Sequence, residues 1–189
     1  MPRHSLTAAL VFLLTTTTVS AAPSEEQLAA ESREAVKAFM QRLKSTLQSA
    51  MRSGGPVKAI EACNLAAPGI AQEVSEQQGY RVGRTSLKLR NPDNAPDAWE
   101  KAVLERFEQQ HAAGTPAKKL EHYEIVTQGD RRVFRYMKAI PTAEVCTRCH
   151  GTDIAPEIKA RLEALYPHDQ ATGFRPGDIR GAFTIERPL

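Results

Sequence analysis

No stretch of these 189 residues interleaves a Lys/Arg cluster with aromatics, and the formal net charge is only +3. That leaves no electrostatic footprint for nucleic acid. No G-x-S-x-G sequence occurs, and Arg84-Thr85-Ser86 has no nucleophile-elbow context. Neither a P-loop nor a dinucleotide fingerprint is present. No internal repeat recurs. Beyond one short apolar run near the start, nothing approaches the roughly 20 apolar residues that a membrane-spanning helix needs. Cysteine is scarce, with three in the chain, and no second C-x-x-C completes a four-cysteine zinc site. Hydrophobic residues make up 41% and charged residues 25%, the balance of a globular chain with one core rather than of a disordered or membrane-embedded one.

What is present begins with an export address. Arg3 and His4 form a short basic region, Leu6 to Leu14 is a compact apolar run, and Val19-Ser20-Ala21-Ala22 places small residues where a signal peptidase cuts. The expectation is a signal peptide over residues 1–22, cut after Ala21 or Ala22, and a single domain over 23–189. The domain is expected in the periplasm or outside the cell, with no stable membrane insertion.

Apolar spacing then lays out the elements. Ser24 caps a long helix to Arg52, with Glu25 and Glu26 in its first turn and Leu28, Val36, Phe39, Met40, Leu43 and Met51 on one stripe. Its length suits either its own sheet or a second copy of the chain, a homodimer through the N-terminal helix. Gly54-Gly55-Pro56 ends it. A shorter helix follows over Pro56–Ala66, with Cys63 on its inner face. Pro68-Gly69 interrupts before another turn or two over Ile70–Gln78. Tyr80–Leu89 alternates as a strand. Asp97 caps a helix through Gln110 whose apolar face is Trp99, Val103, Leu104 and Phe107. Leu120–Thr127 and Arg132–Ile140 flank the hairpin signal Gln128-Gly129-Asp130-Arg131. Ala155–Tyr166 is a helix, Asp169–Asp178 a loop and Ile179–Ile185 a last strand. This order predicts an α+β fold, a small antiparallel sheet with flanking helices.

Just after the hairpin stand Cys146-Thr147-Arg148-Cys149-His150. This is C-x-x-C-H, the attachment sequence of a c-type haem. Two thiols three residues apart can each add to a vinyl group of one porphyrin, and the next histidine then supplies an axial imidazole nitrogen. With 3 Cys and 5 His in the chain, chance would produce this pattern about once in a thousand such sequences. The competing readings are a redox dithiol, half a zinc site or a structural disulfide. Cys63 is the odd thiol. Its readings are a buried inert thiol, a partner in an intermolecular disulfide, or an iron ligand.

Several stretches together resemble one family, the c-type-haem-binding domain of PAS-like fold. They are Ala59-Ile60-Glu61-Ala62-Cys63-Asn64 with Ala67-Pro68-Gly69-Ile70-Ala71, Gly83-Arg84-Thr85-Ser86-Leu87-Lys88-Leu89-Arg90-Asn91-Pro92-Asp93-Asn94, Pro96-Asp97-Ala98-Trp99-Glu100, the haem sequence with Gly151, and Gly177-Asp178-Ile179-Arg180-Gly181-Ala182-Phe183. The resemblance covers nearly the whole mature chain. It implies a PAS-like antiparallel sheet preceded by a long helix, one haem c held covalently by Cys146 and Cys149, and His150 as one axial ligand. It implies Cys63 as the other. Many relatives carry the domain as the sensing part of a membrane signalling protein. This sequence shows no second hydrophobic segment, kinase or cyclase.

A His/Cys axial pair has a physical consequence. A thiolate donates strongly and stabilises ferric over ferrous iron, so the expected reduction potential is low. The other candidates for a sixth ligand are His111, His122, His168, Met40, Met51 and Met137. Of these, Met40 and Met51 read as core, His111 and His168 as solvated and His122 as outward-facing, which leaves Met137, in a strand close before the haem sequence. Arg84, Lys88 and Arg90 alternate along one strand and its exit. They reach the haem propionates or form a solvated face. Trp99 reads as core packing rather than haem stacking. The function expected is one-electron transfer to a redox partner protein. A haem-based redox or gas sensor signalling to a partner is the alternative. An enzyme such as a peroxidase ranks last, because no distal His/Arg pair is evident.

Overall fold

Chain alternation decides the architecture of this computed structural model, which describes residues 22–189. The expected signal peptide, apart from Ala22, lies outside the described residues. Along β3 (Arg131–Pro141), Phe134 and Tyr136 point to one face while Val133, Arg135, Met137 and Ala139 point to the other. β4 (Ile179–Pro188) alternates likewise, Phe183 and Ile185 against Ala182 and Thr184. Both faces of these central strands are therefore buried. Flanked by β1 (Arg81–Thr85) and β2 (Glu121–Gln128), they form an antiparallel sheet of order β1-β4-β3-β2.

Helix α1 (Glu25–Gln78) covers the first face. A Ser24/Gln27 capping box starts it and left-handed Gly79 stops it. Gly54 and Gly55 break it inside, Gly55 at φ 69°, so that it folds into two antiparallel limbs. Arg42 on the first limb bonds Glu73 and Gln77 on the second, at 3.3 and 2.8 Å. Leu28, Ala29, Ala35, Val36 and Phe39 bury themselves on Phe134, Tyr136, Phe183 and Ile185, and Val74 joins from the second limb. The first limb thus lies across its own sheet. α2 (Ala98–Ala112), capped by the Asp97/Glu100 box, covers the other face with Val103, Leu104 and Phe107. α3 (Thr147–His150) is one turn, and α4 (Pro156–Leu165) packs Ile158 and Leu162 on Ile60 of the second limb.

Three expectations need correction. Pro68-Gly69 does not interrupt the second limb, which forgoes one intrahelical hydrogen bond at the proline and offsets that cost by burying Val74 and packing Ile70 and Ala71. The strand expected over Tyr80–Leu89 stops at Thr85, because the Ser86 hydroxyl accepts from Lys88 N at 3.2 Å and turns the chain out of the sheet. Met40 is not core: it is 47% exposed, off the face of the limb on which Phe39 and Leu43 pack. Met51 is half-buried.

A polar clamp fixes the first limb to the sheet edge. Arg33 grips Glu121 of β2 at 2.7 Å, and Glu121 also accepts from the Tyr136 hydroxyl at 2.7 Å. Burial raises the Glu121 carboxyl, but the bonds from Arg33 and Tyr136 outweigh it and hold it below its ordinary value of 4.5. A depressed carboxylate stabilises the fold above its unfolded value, and that contribution is lost as pH falls through its folded one. Urea stability is therefore expected to fall as pH drops below 4.5, and to fall less steeply in Arg33→Met; an unchanged slope would contradict the clamp.

Candidate haem-binding site

Residues 143–151 leave the sheet as a short helical turn. Cys146 and Cys149, three apart, share a face of that turn, and His150 follows. Gly151 after it is required by space: a Cβ there would lie 2.5 Å from the Thr147 carbonyl oxygen. The Cys149 side chain, like Ile154 and Tyr166, packs against the cluster of Ile60, Ile158 and Leu162. This places the haem sequence against the second limb of α1, one turn from Cys63. All three cysteines are unpaired thiols.

The imidazole of His150 is held from behind. Its Nδ1 lies 2.7 Å from the Ala171 carbonyl oxygen. A carbonyl only accepts, so Nδ1 carries the proton and Nε2 keeps its lone pair. Burial, then the positive charges of Arg180 and Arg90, lower this histidine to about 2, so the ring is neutral. A neutral ring with its Nδ1 proton tied to a backbone carbonyl is a preset Nε2 metal donor. The loop between α4 and β4 closes over it. Gly173 N and Phe174 N donate to the Gly151 and His150 carbonyls, both at 2.9 Å, and the Phe174 ring stands edge-on to His150 at 6.4 Å.

Three guanidinium groups surround the ring. Arg90 donates to Asp169 at 2.8 Å and to the Cys149 carbonyl at 2.6 Å, and its Nη1 sits 3.3 Å from His150 Nε2. Asp169 in turn accepts from Ala171 N at 2.8 Å, which aims the carbonyl that holds His150. Arg180 lies on the other side, Nε at 3.1 Å from Nδ1. Arg84, on β1, stands 6.0 Å from the Phe39 ring. Among the described residues Asp169 is the one carboxylate in ion-pair range of these three cations. Desolvation pushes Arg84 and Arg180 down, Arg180 to about 10. Burial pushes the Cys63 thiol up, against the pull of Arg84 and Arg90. Cys149 is likewise raised by burial and senses both Arg90 and Cys63.

These residues fit a haem. Cys146 and Cys149 would hold its vinyl carbons, His150 Nε2 and the Cys63 sulfur its iron, and the unbalanced guanidiniums its carboxylates. The zinc reading is less well served, because no cluster of three or more His, Cys, Asp or Glu among the described residues closes on one point.

The structure gathers Cys63, Arg84, Arg90, Cys146, Cys149 and His150 into one region, and leaves the other candidates elsewhere. Met137 is fully buried on the α2 side of the sheet. His122 is not a free outward ring; it lies 5.8 Å from the Trp99 ring and 3.2 Å from Glu124. Trp99 belongs to the α2 side and holds Arg135 at 4.5 Å. His111 reaches the Thr115 carbonyl at 3.0 Å, and His168 is exposed. Lys88 projects its ammonium 5.1 Å from the Phe174 ring. Sequence reasoning missed Tyr166, Asp169, Ala171, Phe174 and Arg180. Only Arg180 stood in a stretch already singled out.

The Arg90–Asp169 pair is 12% and 10% exposed. Removing one member of a nearly buried pair strands the other. Asp169→Ala is expected to cost about 3 kcal/mol in urea unfolding of the haem-free chain; a loss within error would show that the pair does not support the loop.

Comparison with known proteins places this architecture. No curated protein sequence matches the chain. The crystal structure of the cyanobacterial heme-protein Tll0287 is similar with a TM-score of 0.61, covering 84% of this chain and 96% of that one at 24% identity, a likeness of fold. The Tll0287-like family model matches residues 18–188, and the chain belongs to that family.

Proposed function

We propose that this chain is a mono-haem c-type cytochrome of the periplasm that passes single electrons at low potential to a redox partner protein. The observation that carries the reading is the His150 ring: half-buried, neutral, its Nδ1 proton held by Ala171 and its Nε2 keeping the lone pair that faces Arg90 Nη1 at 3.3 Å. The Tll0287-like membership and the named heme-protein neighbour support it. When bound, the haem supplies an iron that changes oxidation state by one electron. Cys146 and Cys149 fix the group in place through thioether bonds. Cys63 supplies an anionic sulfur that favours the oxidised state. Arg84 and Arg90 pair with carboxylates, and the Phe174 loop keeps water from the ring. Export through residues 1–22 delivers the chain to where thioether attachment takes place. The reading assigns no enzymatic activity.

A second reading, a redox or gas sensor, is favoured by one observation. Cys63 rides on the second limb of α1, which Arg42 ties to the first through Glu73 and Gln77. Loss of the sulfur ligand would shift both limbs, and a partner protein or a second copy docked on the first limb would read the shift.

Optical spectra of protein matured with c-type haem machinery test both: ferric, ferrous, and ferrous with CO. Electron transfer predicts a low-spin haem that reduces at low potential and ignores CO. Ready CO binding after reduction would favour the sensor. Cys63→Ser is expected to alter the ferric spectrum and raise the midpoint by on the order of 100 mV, within the roughly 0.8 V that axial ligands command. An unchanged ferric spectrum would remove Cys63 from the iron.

A further inference from the structure

Arg180 is a cation held where no ordinary role accounts for it. It opens β4, beyond Ile179, and its guanidinium is fixed from several sides. Its Nη1 donates to the Ser86 hydroxyl at 3.2 Å and to the Lys88 carbonyl at 3.3 Å. The Ser86 hydroxyl in turn approaches the Arg180 carbonyl at 2.9 Å, so backbone and side chain are tied to the same segment. The Phe174 ring lies 5.4 Å from the guanidinium carbon. Gly181 locks the position further. It adopts φ 151°, and a Cβ there would come within 2.4 Å of the Thr85 carbonyl oxygen, so β4 can approach β1 this closely only at a glycine. No carboxylate among the described residues forms an ion pair with Arg180.

The contact with His150 is not a second hydrogen bond. Nδ1 already spends its proton on Ala171 at 2.7 Å and has no lone pair left for the Arg180 Nε–H, 3.1 Å away. What remains is a fixed positive charge against the rear of the imidazole. The usual partner behind a metal-bound histidine is a carboxylate or a carbonyl, which raises the basicity of the ligating nitrogen. A cation does the reverse.

We propose that Arg180 is a positioning residue that weakens the electron donation of His150 and so raises the reduction potential above what a His/Cys pair alone would set. This rests on the haem reading of the site. With haem bound, the field of Arg180 would act through the imidazole and disfavour positive charge at the iron, opposing the electron donation of a Cys63 thiolate. With haem bound, the same guanidinium would also attract its carboxylates, as Arg84 and Arg90 would. The two roles differ in what they require, since carboxylate pairing needs only charge within reach, whereas tuning needs charge held at Nδ1 by Ser86 and the Lys88 carbonyl.

The test is redox titration and low-temperature EPR of the haem-loaded wild type, Arg180→Gln, Arg180→Lys and Ser86→Ala. Arg180→Gln is expected to shift the ferrous/ferric ratio at a given ambient potential about tenfold toward ferric, about 59 mV for one electron. Its ferric EPR g-values should draw together, as a stronger imidazole donor requires. Arg180→Lys keeps the charge and should recover most of the shift. Ser86→Ala loosens the guanidinium and should give a smaller shift of the same sign. It also decides the matter if Arg180→Gln fails to fold. Loaded variants that match the wild type in potential and g-values would overturn the proposal while leaving the haem reading intact. Equal shifts in Arg180→Gln and Arg180→Lys would also overturn it, by showing a structural role. A wild type that takes up no covalent haem would overturn the underlying reading instead.

Discussion

The bond from His150 Nδ1 to the Ala171 carbonyl is the constraint on which the site depends. It decides which nitrogen carries the proton and leaves the other, Nε2, with its lone pair, 3.3 Å from Arg90 Nη1. It exists only because the loop after α4 is itself held. Asp169 ties the Ala171 amide, Arg90 ties Asp169 to the Cys149 carbonyl, and Phe174 and Gly173 return to the backbone of the helical turn. The cost of that arrangement is charge. Arg84, Arg90 and Arg180 crowd a neutral ring with one carboxylate between them, an imbalance that a dicarboxylic ligand such as haem relieves.

The fold supplies rigidity from two directions. The central strands are buried on both faces, so β3 and β4 cannot slip register without exposing one core or the other. Arg180 and Gly181 begin β4, while Arg84 lies on the paired strand β1. Two of the three cations of the site are therefore built on the sheet, and Arg90 comes from the loop after β1. The thiol wall is built on helix: Cys63 on the second limb, Cys146 and Cys149 on the turn packed against it. The Gly54–Gly55 break is what lets a single helical segment both cover the sheet and bring Cys63 back to the site.

Much of this was legible in the sequence. Period-two alternation found the hairpin and the last strand to within three residues, and the capping residues Ser24 and Asp97 marked both helix starts. The C-x-x-C-H spacing located the candidate site, because its chemistry is local to five residues. Arg84 and Arg90 could be nominated from their spacing, although the strand ends at Thr85 and Arg90 comes to the site from the loop beyond it. Asp169, Ala171 and Phe174 could not. They sit about 20 residues from His150 in a segment without periodicity, and act partly through backbone atoms that no side-chain pattern encodes. Pro68 misled for a related reason. The local cost of a proline in a helix was visible, whereas the tertiary burial of Val74 that offsets it was not.

The account stands on covalent attachment of one haem to this chain. The most direct measurement is the intact mass, under denaturing conditions, of chain co-expressed with c-type haem maturation machinery and exported. The account predicts the mature chain plus one haem, reduced to the bare chain when Cys146 and Cys149 are both replaced by alanine. A bare wild-type mass, with haem absent or extracted by acidified organic solvent, would contradict it and return Cys146 and Cys149 to disulfide or metal chemistry.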